Sequence, residues 1–181
     1  MTLRVVGLAG SLSRPSKTRT LVELVASRSA ARLGATAATY DLTDLQPGLG
    51  LAASLNDLDP TTGAIVATIL SADVLVVGSP VYKGSYTGLF KHLFDLVDPA
   101  ALAAKSVILT ATGGGEKHAL VIEHQLRPLF GFFEAATIPT GIYASPADFI
   151  DDLPASPAVL TRIDRAVDQL AGHFAHRLTP A

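Results

Sequence analysis

Apolar strand-like runs that alternate with helix-like segments predict a three-layer α/β fold, in which a parallel sheet is covered by helices on both faces. Two observations carry this. The runs Leu3–Ala9, Asp73–Gly78 and Lys105–Ala111 show no regular polar alternation, as expected of strands buried on both sides. The segments between them place apolar residues at helical spacing, so each strand is joined to the next by a crossover helix. A third observation is the hydroxyl-rich stretch Gly10–Thr18 between the first strand and the first helix, at the strand ends where such sheets hold ligands.

Taken in order, Leu3–Ala9 is the first strand. Thr18–Leu33 is a helix with Leu21, Leu24, Val25, Ala30 and Leu33 apolar, and Gly34 closes it. Ala35–Leu42 is the second strand. Thr43–Pro60 reads as loop, punctuated by Gly48, Gly50, Asn56 and Pro60, and Ile65–Leu70 lies in a short helix. Asp73–Gly78 is the third strand, Tyr86–Val97 a helix and Lys105–Ala111 the fourth strand. Glu116–Ala135 is a long helix containing Pro128, and Thr137–Tyr143 is the fifth strand. Ala158–Leu178 is the last helix, with Leu160, Ile163, Val167, Leu170 and Phe174 at helical spacing. Five such strands fit the flavodoxin-like order 2-1-3-4-5, an order taken by analogy.

With 181 residues the chain is expected to form one domain, residues 1–181, large enough for a real core. Hydrophobic residues are 49% of it and charged ones 17%, which argues for a well-buried sheet and for apolar surface hidden by self-association. A net charge of -2 gives no reason to expect nucleic acid or an anionic membrane as partner. There are no cysteines, so disulfides, thiol catalysis and thiolate metal sites are excluded. No signal-peptide pattern and no apolar run of spanning length is visible, and the expected compartment is the cytoplasm.

Three loops carry the chemistry. In the first, Ser11, Ser13, Ser16 and Thr18 offer hydroxyls and Arg14 and Lys17 positive charge, at a helix start whose free amides and dipole favour an anion. It is neither the G-x-G-x-x-G dinucleotide fingerprint nor a P-loop, and side-chain hydroxyls suit the terminal phosphate of a mononucleotide such as FMN. An ordinary serine N-cap remains the alternative on this loop alone. The second loop, Ser79–Tyr86, sets main-chain amides, Tyr82 and Lys83 where a flat ring would lie, or is a strand-ending turn made by Pro80. The third, Thr112-Gly113-Gly114-Gly115, lets backbone approach a flat ligand, or is a flexible link. Three such loops at one sheet edge favour a mononucleotide site.

With these residues in view, the sequence resembles the NAD(P)H-dependent FMN reductase family, and within it the reductases of two-component alkanesulfonate and methanesulfonate systems. The stretches that carry the resemblance are Gly10-Ser11-x-Ser13-x-Pro15-Ser16-x-Thr18, Ser79-Pro80-Val81-Tyr82-Lys83, Thr87-Gly88-x-x-Lys91-x-x-x-Asp95-Leu96 and Thr112-Gly113-Gly114. The second is the most specific. The resemblance implies FMN phosphate on Ser11, Ser13, Ser16 and Thr18, with Lys17 expected to bind the cofactor through its charge, and the isoalloxazine on Pro80, Val81, Tyr82, Lys83, Thr112, Gly113 and Gly114. Many members carry arginine at the place of Ser13; Arg14 follows one position on, leaving open whether it supplies that charge. The implied chemistry is hydride transfer from NADH or NADPH to flavin N5, which needs stacking and exclusion of water rather than a side-chain acid or base, so no catalytic residue and no metal is nominated.

The resemblance further implies a reduced-flavin-dependent monooxygenase as partner. A flavodoxin-like electron carrier that keeps its FMN, and a quinone or azo reductase, are the alternatives. Of the five histidines, His173 and His176 are expected in solvent and His92 in a structural role, and the spacing of His118 and His124 does not align them as ligands. In the sulfonate-system reductases the helix after the Thr-Gly-Gly loop carries an inserted residue, a π-bulge; the resemblance puts His124 there, with an ordinary helical histidine as the alternative. A homodimer or homotetramer is expected through the helix Tyr86–Val97 and the His124 helix. Phe90 and Phe94 would form a second apolar side beyond the stripe of Leu89, Leu93, Leu96 and Val97, unless both rings fill a groove within one chain.

Overall fold

The computed structural model describes residues 2–178. Its main sheet holds β1 (Arg4–Ala9), β2 (Thr36–Asp41), β3 (Val74–Pro80), β4 (Ser106–Thr112) and β5 (Ala136–Thr137), all parallel, in the order β2-β1-β3-β4-β5. This is the flavodoxin-like order. It brings the carboxyl ends of β1, β3 and β4 side by side, and the three loops with them.

The fifth strand is not continuous. β5 stops at Thr137, and β6 (Ile142–Ala144) resumes pairing with β4 two residues further out of register. Pro139 has no N–H to give the ladder, and the Thr140 amide turns to Gln169 Oε1 at 3.0 Å. A two-residue insertion keeps the in-and-out parity of the side chains, so Ile142 and Ala144 still face the core.

The helices are α1 (Lys17–Leu33), α2 (Gly48–Leu51), α3 (Pro60–Leu70), α4 (Gly88–Asp95), α5 (Arg127–Phe132) and α6 (Pro157–Leu178). Ser16 caps α1, and Gly34 ends it in the left-handed conformation at φ 63°. α2 lies inside the stretch expected to be loop. α3 begins at Pro60, earlier than expected, because Asp59 caps it by accepting from the amides of Thr61 and Thr62 and proline suits the first helical position. A small hairpin, β7 (Phe149–Ile150) with β8 (Leu153–Pro154), precedes α6. Among the described residues, no helix is long and apolar enough to cross a membrane.

The long helix expected over Glu116–Ala135 is three pieces. A 3-10 turn (Glu116–His118) and a π-turn (Ile122–Leu126) lead into α5. The Arg127 amide donates to the Ile122 carbonyl, five residues back. Pro128 gives the reason: it cannot donate, and its ring crowds the carbonyl four residues before it, so a widened turn there relieves the clash.

Because each strand is apolar on both sides, two cores form. Val6, Leu8, Leu75, Val77, Val107 and Leu109 face α3, α4 and α5; Val5, Ala9, Val74, Val76 and Ile108 face α1 and α6. Gly7 and Gly78 let α1 lie close, since a Cβ on them would stand 2.7 Å and 2.5 Å from Val22 methyl groups. The expectation that Phe90 and Phe94 form a second, intermolecular surface is corrected. Both are buried within this one chain, stacked edge-on with each other at 4.9 Å, and Phe94 meets Phe130 at 5.0 Å. A one-stripe helix does not suffice here because α4 lies in the groove between the sheet and α5.

Candidate functional site

The three loops converge and are hydrogen-bonded to one another. The Gly10 amide donates to the Gly78 carbonyl at 2.6 Å, and the Thr87 hydroxyl donates to the Gly10 carbonyl at 2.9 Å. The Val81 amide donates to the Thr112 carbonyl at 2.7 Å, and the Gly113 amide to the Ala144 carbonyl at 3.2 Å. Thr18 and Thr112 share a buried hydroxyl–hydroxyl bond of 2.6 Å that ties the first loop to the third. Between the loops lies a cleft of about 180 Å³ lined by Lys17, Pro80 to Tyr82, Thr112 to Gly114, Ala144 to Pro146 and Phe149. A Cβ on Gly113 would meet the Tyr143 hydroxyl at 2.5 Å and Val81 at 3.3 Å, so only glycine keeps that wall flat.

Not every residue expected at the site offers what was expected of it. Ser11 does: it is 3% exposed, and its buried hydroxyl has no partner among the described residues. Ser16 accepts from the Arg19 amide as the helix cap, and its own proton is still available. Ser13 is exposed. The Thr18 hydroxyl is engaged with Thr112, which leaves its amide, in the first turn of α1, as the group able to meet an anion. Lys17 Nζ is paired with Asp152 Oδ1 at 2.6 Å.

Arg14 is committed to carboxylates at and just beyond the end of β2. Its Nε and Nη2 donate to Asp41 Oδ2 and Oδ1 at 2.8 and 3.0 Å, and Nη2 also meets Asp44 at 2.7 Å. Arg19 reaches the same Asp41 oxygen at 2.9 Å. Asp41 is fully buried at the end of β2 and also accepts from the Thr43 amide and hydroxyl. Burial pushes this carboxyl upward, but the hydrogen bonds from Arg14, Thr43 and Arg19 outweigh it and hold it at about 2. The Arg14 guanidinium is raised in turn, by its hydrogen bonds to Asp41 and Asp44.

On the second loop, Lys83 (φ 53°) and Gly84 (φ 85°) form a two-residue turn closed by reciprocal bonds between Tyr82 and Ser85. Tyr82 is 56% exposed at the cleft mouth. The Ser85 hydroxyl donates to Gln125 Oε1 at 3.0 Å, which ties this turn to the π-turn. His124 is exposed on that π-turn. His92 is structural, with Nε2 3.0 Å from the carbonyls of both Leu49 and Ala52. His173 departs from expectation: it is half-buried, and its Nε2 has no partner among the described residues. The side chain of His176 lies outside the described residues.

Sequence reasoning missed the far wall of the cleft, Ala144 to Pro146 and Phe149, because the hairpin that brings Phe149 there has no marked strand pattern. It also missed Asp41. The available signal was a lone acid at a strand end beside an arginine-bearing loop.

Over residues 3–149 the chain matches the protein family described as NADPH-dependent FMN reductase. It is 44% identical over 178 residues to NADH-dependent FMN reductase SfnF of Pseudomonas fluorescens, covering 98% of this chain and 95% of that protein. It is likewise 44% identical over 174 residues to an FMN reductase (NADPH) of Pseudomonas aeruginosa, covering 96% of this chain and 94% of that one. The solved structure of an oxidoreductase from Corynebacterium diphtheriae superposes with a TM-score of 0.85 at 33% identity, over 94% of this chain and 96% of that one.

Proposed function

The chain belongs to the NADPH-dependent FMN reductase family, and from that premise we propose that it reduces FMN in the three-loop cleft and hands the reduced flavin to a monooxygenase of the sulfonate type. It is an oxidoreductase that takes electrons from NAD(P)H. FMN, when bound, supplies the ring system that accepts the hydride. The chain's own residues hold and orient it.

In this reading Ser11, Ser13 and Ser16 donate hydroxyls to the phosphate, and the amides of Lys17 and Thr18 add the helix-start contribution. Lys17 adds charge. Pro80 to Lys83 and Thr112 to Gly114 flank the ring, and Gly113 lets backbone lie against it. The observation that carries the reading is Ser11: a buried hydroxyl with no partner among the described residues, in the loop that leads into the start of α1. The support for a monooxygenase partner is the resemblance to the sulfonate-system reductases, which implies an inserted residue in this helix, and the chain has a π-turn there that carries His124. We also propose self-association on that side of the molecule, where Leu120 and Phe132 are exposed.

Fluorescence titration tests the phosphate assignment. Ser11→Ala is expected to weaken FMN roughly tenfold or more, the effect of one hydrogen bond to a charged group, and to leave riboflavin unchanged. Equal losses for both flavins place the phosphate elsewhere. Steady-state turnover with added FMN tests the hand-over: nicotinamide consumption that scales with free flavin supports it, and consumption indifferent to added flavin supports a carrier that retains its FMN.

A further inference from the structure

We propose that Asp152 competes with the flavin phosphate for Lys17, and so sets how readily FMN leaves the cleft. The proposal rests on the reading that the phosphate sits on the Ser11–Thr18 loop. Lys17 is the first residue of α1, beside the Ser16 cap, so its amine is within reach of an anion at that helix start. In the structure that amine already holds an anion: Asp152 Oδ1, at 2.6 Å. It also lies 5.9 Å from the centre of the Phe149 ring, and Phe149 and Lys17 line the same cleft.

Asp152 comes from the β7–β8 hairpin, whose two turn residues, Asp151 and Asp152, have φ of 49° and 61°. Glycine, asparagine and aspartate ordinarily fill such turns, so the turn by itself accounts for an aspartate but places no demand on its carboxylate. The ion pair to Lys17 is what its carboxylate gains.

Lys17 is also the cation best able to change partners. Arg14 and Arg19 are fixed by Asp41, whose carboxylate is fully buried and accepts from several donors. The Lys17–Asp152 pair is open to water, with its side chains 41% and 48% exposed. A phosphate arriving at Ser11 and Ser16 carries more charge than one carboxylate, so it draws Lys17 away. FMN binding must then break the pair, and riboflavin binding need not. The strength of the pair is subtracted from FMN affinity alone, which keeps the flavin exchangeable.

The experiment is fluorescence titration of Asp152→Asn with FMN and with riboflavin, at low and high salt. Exposed ion pairs are worth little, so FMN is expected to bind about two- to fivefold more tightly at low salt. Riboflavin should be unchanged, and the gain should shrink at high salt. Asp152→Gly, which relieves the turn as well, should act in the same direction. In a Lys17→Met background neither substitution should have an effect. Unchanged FMN affinity in both variants, or equal changes for FMN and riboflavin, overturns the proposal. If Ser11→Ala discriminates the two flavins while Asp152→Asn does not, the competition alone is refuted. If Ser11→Ala fails to discriminate, the phosphate assignment falls first.

Discussion

The two faces of the sheet are built differently. One is covered by two long, regular helices, α1 and α6, packed through small and branched aliphatic residues such as Val22, Val25, Ala26, Ala166 and Leu170. The other is covered by α3 and by shorter pieces, α4, the π-turn and α5, the last three gathered around Phe90, Phe94, Phe130 and Phe133. The regular face needs close approach, which Gly7 and Gly78 permit. The irregular face fills its volume with rings and pays in helix continuity. It is also the face where the π-turn reaches the second loop, through Gln125 and Ser85. Regular packing seats the helix that follows the proposed phosphate loop; irregular packing shapes the wall where the flavin ring is proposed to lie.

The largest effect that would test this contrast is Phe130→Ala. Phe130 is fully buried and edge-on to Phe94, so its loss should cost about 3–5 kcal/mol, read as a shift in denaturant midpoint. On the regular face Gly78→Ala should cost less, about 1–3 kcal/mol, by pressing a methyl group onto the Thr110 hydroxyl and onto Val22. The reverse order would show the aliphatic face to be the more exacting of the two.

These differences decide what the sequence reveals. β1, β3 and β4 are legible because both of their faces are apolar, and α1 because it has a cap at each end. β5 is legible as a strand but not as a broken one, since the break needs Thr140 to find Gln169 on α6, 29 residues away. Phe90 and Phe94 read as surplus apolar surface because a helix pattern shows how much must be covered and not by what. In the site, the three loop motifs favour a mononucleotide only when taken together, and the assignment of Pro80 to Lys83 and Thr112 to Gly114 to the ring comes from the family resemblance. Lys17 is legible as a cation, but its partner Asp152 stands 135 residues further along, and only the fold brings the two together.

The second effect concerns the polar anchor beside the regular face. Asp41 binds its proton more weakly in the folded chain, at about 2, than the ordinary 3.8. Unfolding therefore takes up a proton, and acid favours the unfolded chain. The stabilisation is complete above pH 3.8 and is lost as pH falls through 2; it amounts to roughly 2 kcal/mol. Asp41→Asn should lower stability at pH 7 and flatten the difference between variant and parent from pH 4 down to 2. Parallel acid-unfolding curves for the two proteins would mean that the Arg14–Asp41–Arg19 cluster does not anchor the loop.

The smallest effect on stability should be the most informative about assembly. Leu120 is 63% exposed and Phe132 is 70% exposed, both on the irregular face flanking the π-turn. Ile150 and Leu153, at 68% and 61%, are exposed on the hairpin instead. A largely exposed side chain contributes within about 0.5 kcal/mol to the single chain's stability, and Phe132, whose ring meets Phe133 edge-on at 5.5 Å, contributes somewhat more, so serine at all four positions should still fold. If copies associate through the irregular face, Leu120→Ser with Phe132→Ser should lower the mass seen by light scattering toward the single-chain 18.8 kDa. Ile150→Ser with Leu153→Ser should leave the mass alone. Single apolar residues on a surface are ordinary, so exposure alone does not decide between the two pairs and the mass does. A mass of 18.8 kDa for the unaltered protein at micromolar concentration would reject self-association, and the same fall in mass for both serine pairs would move the contact off the irregular face.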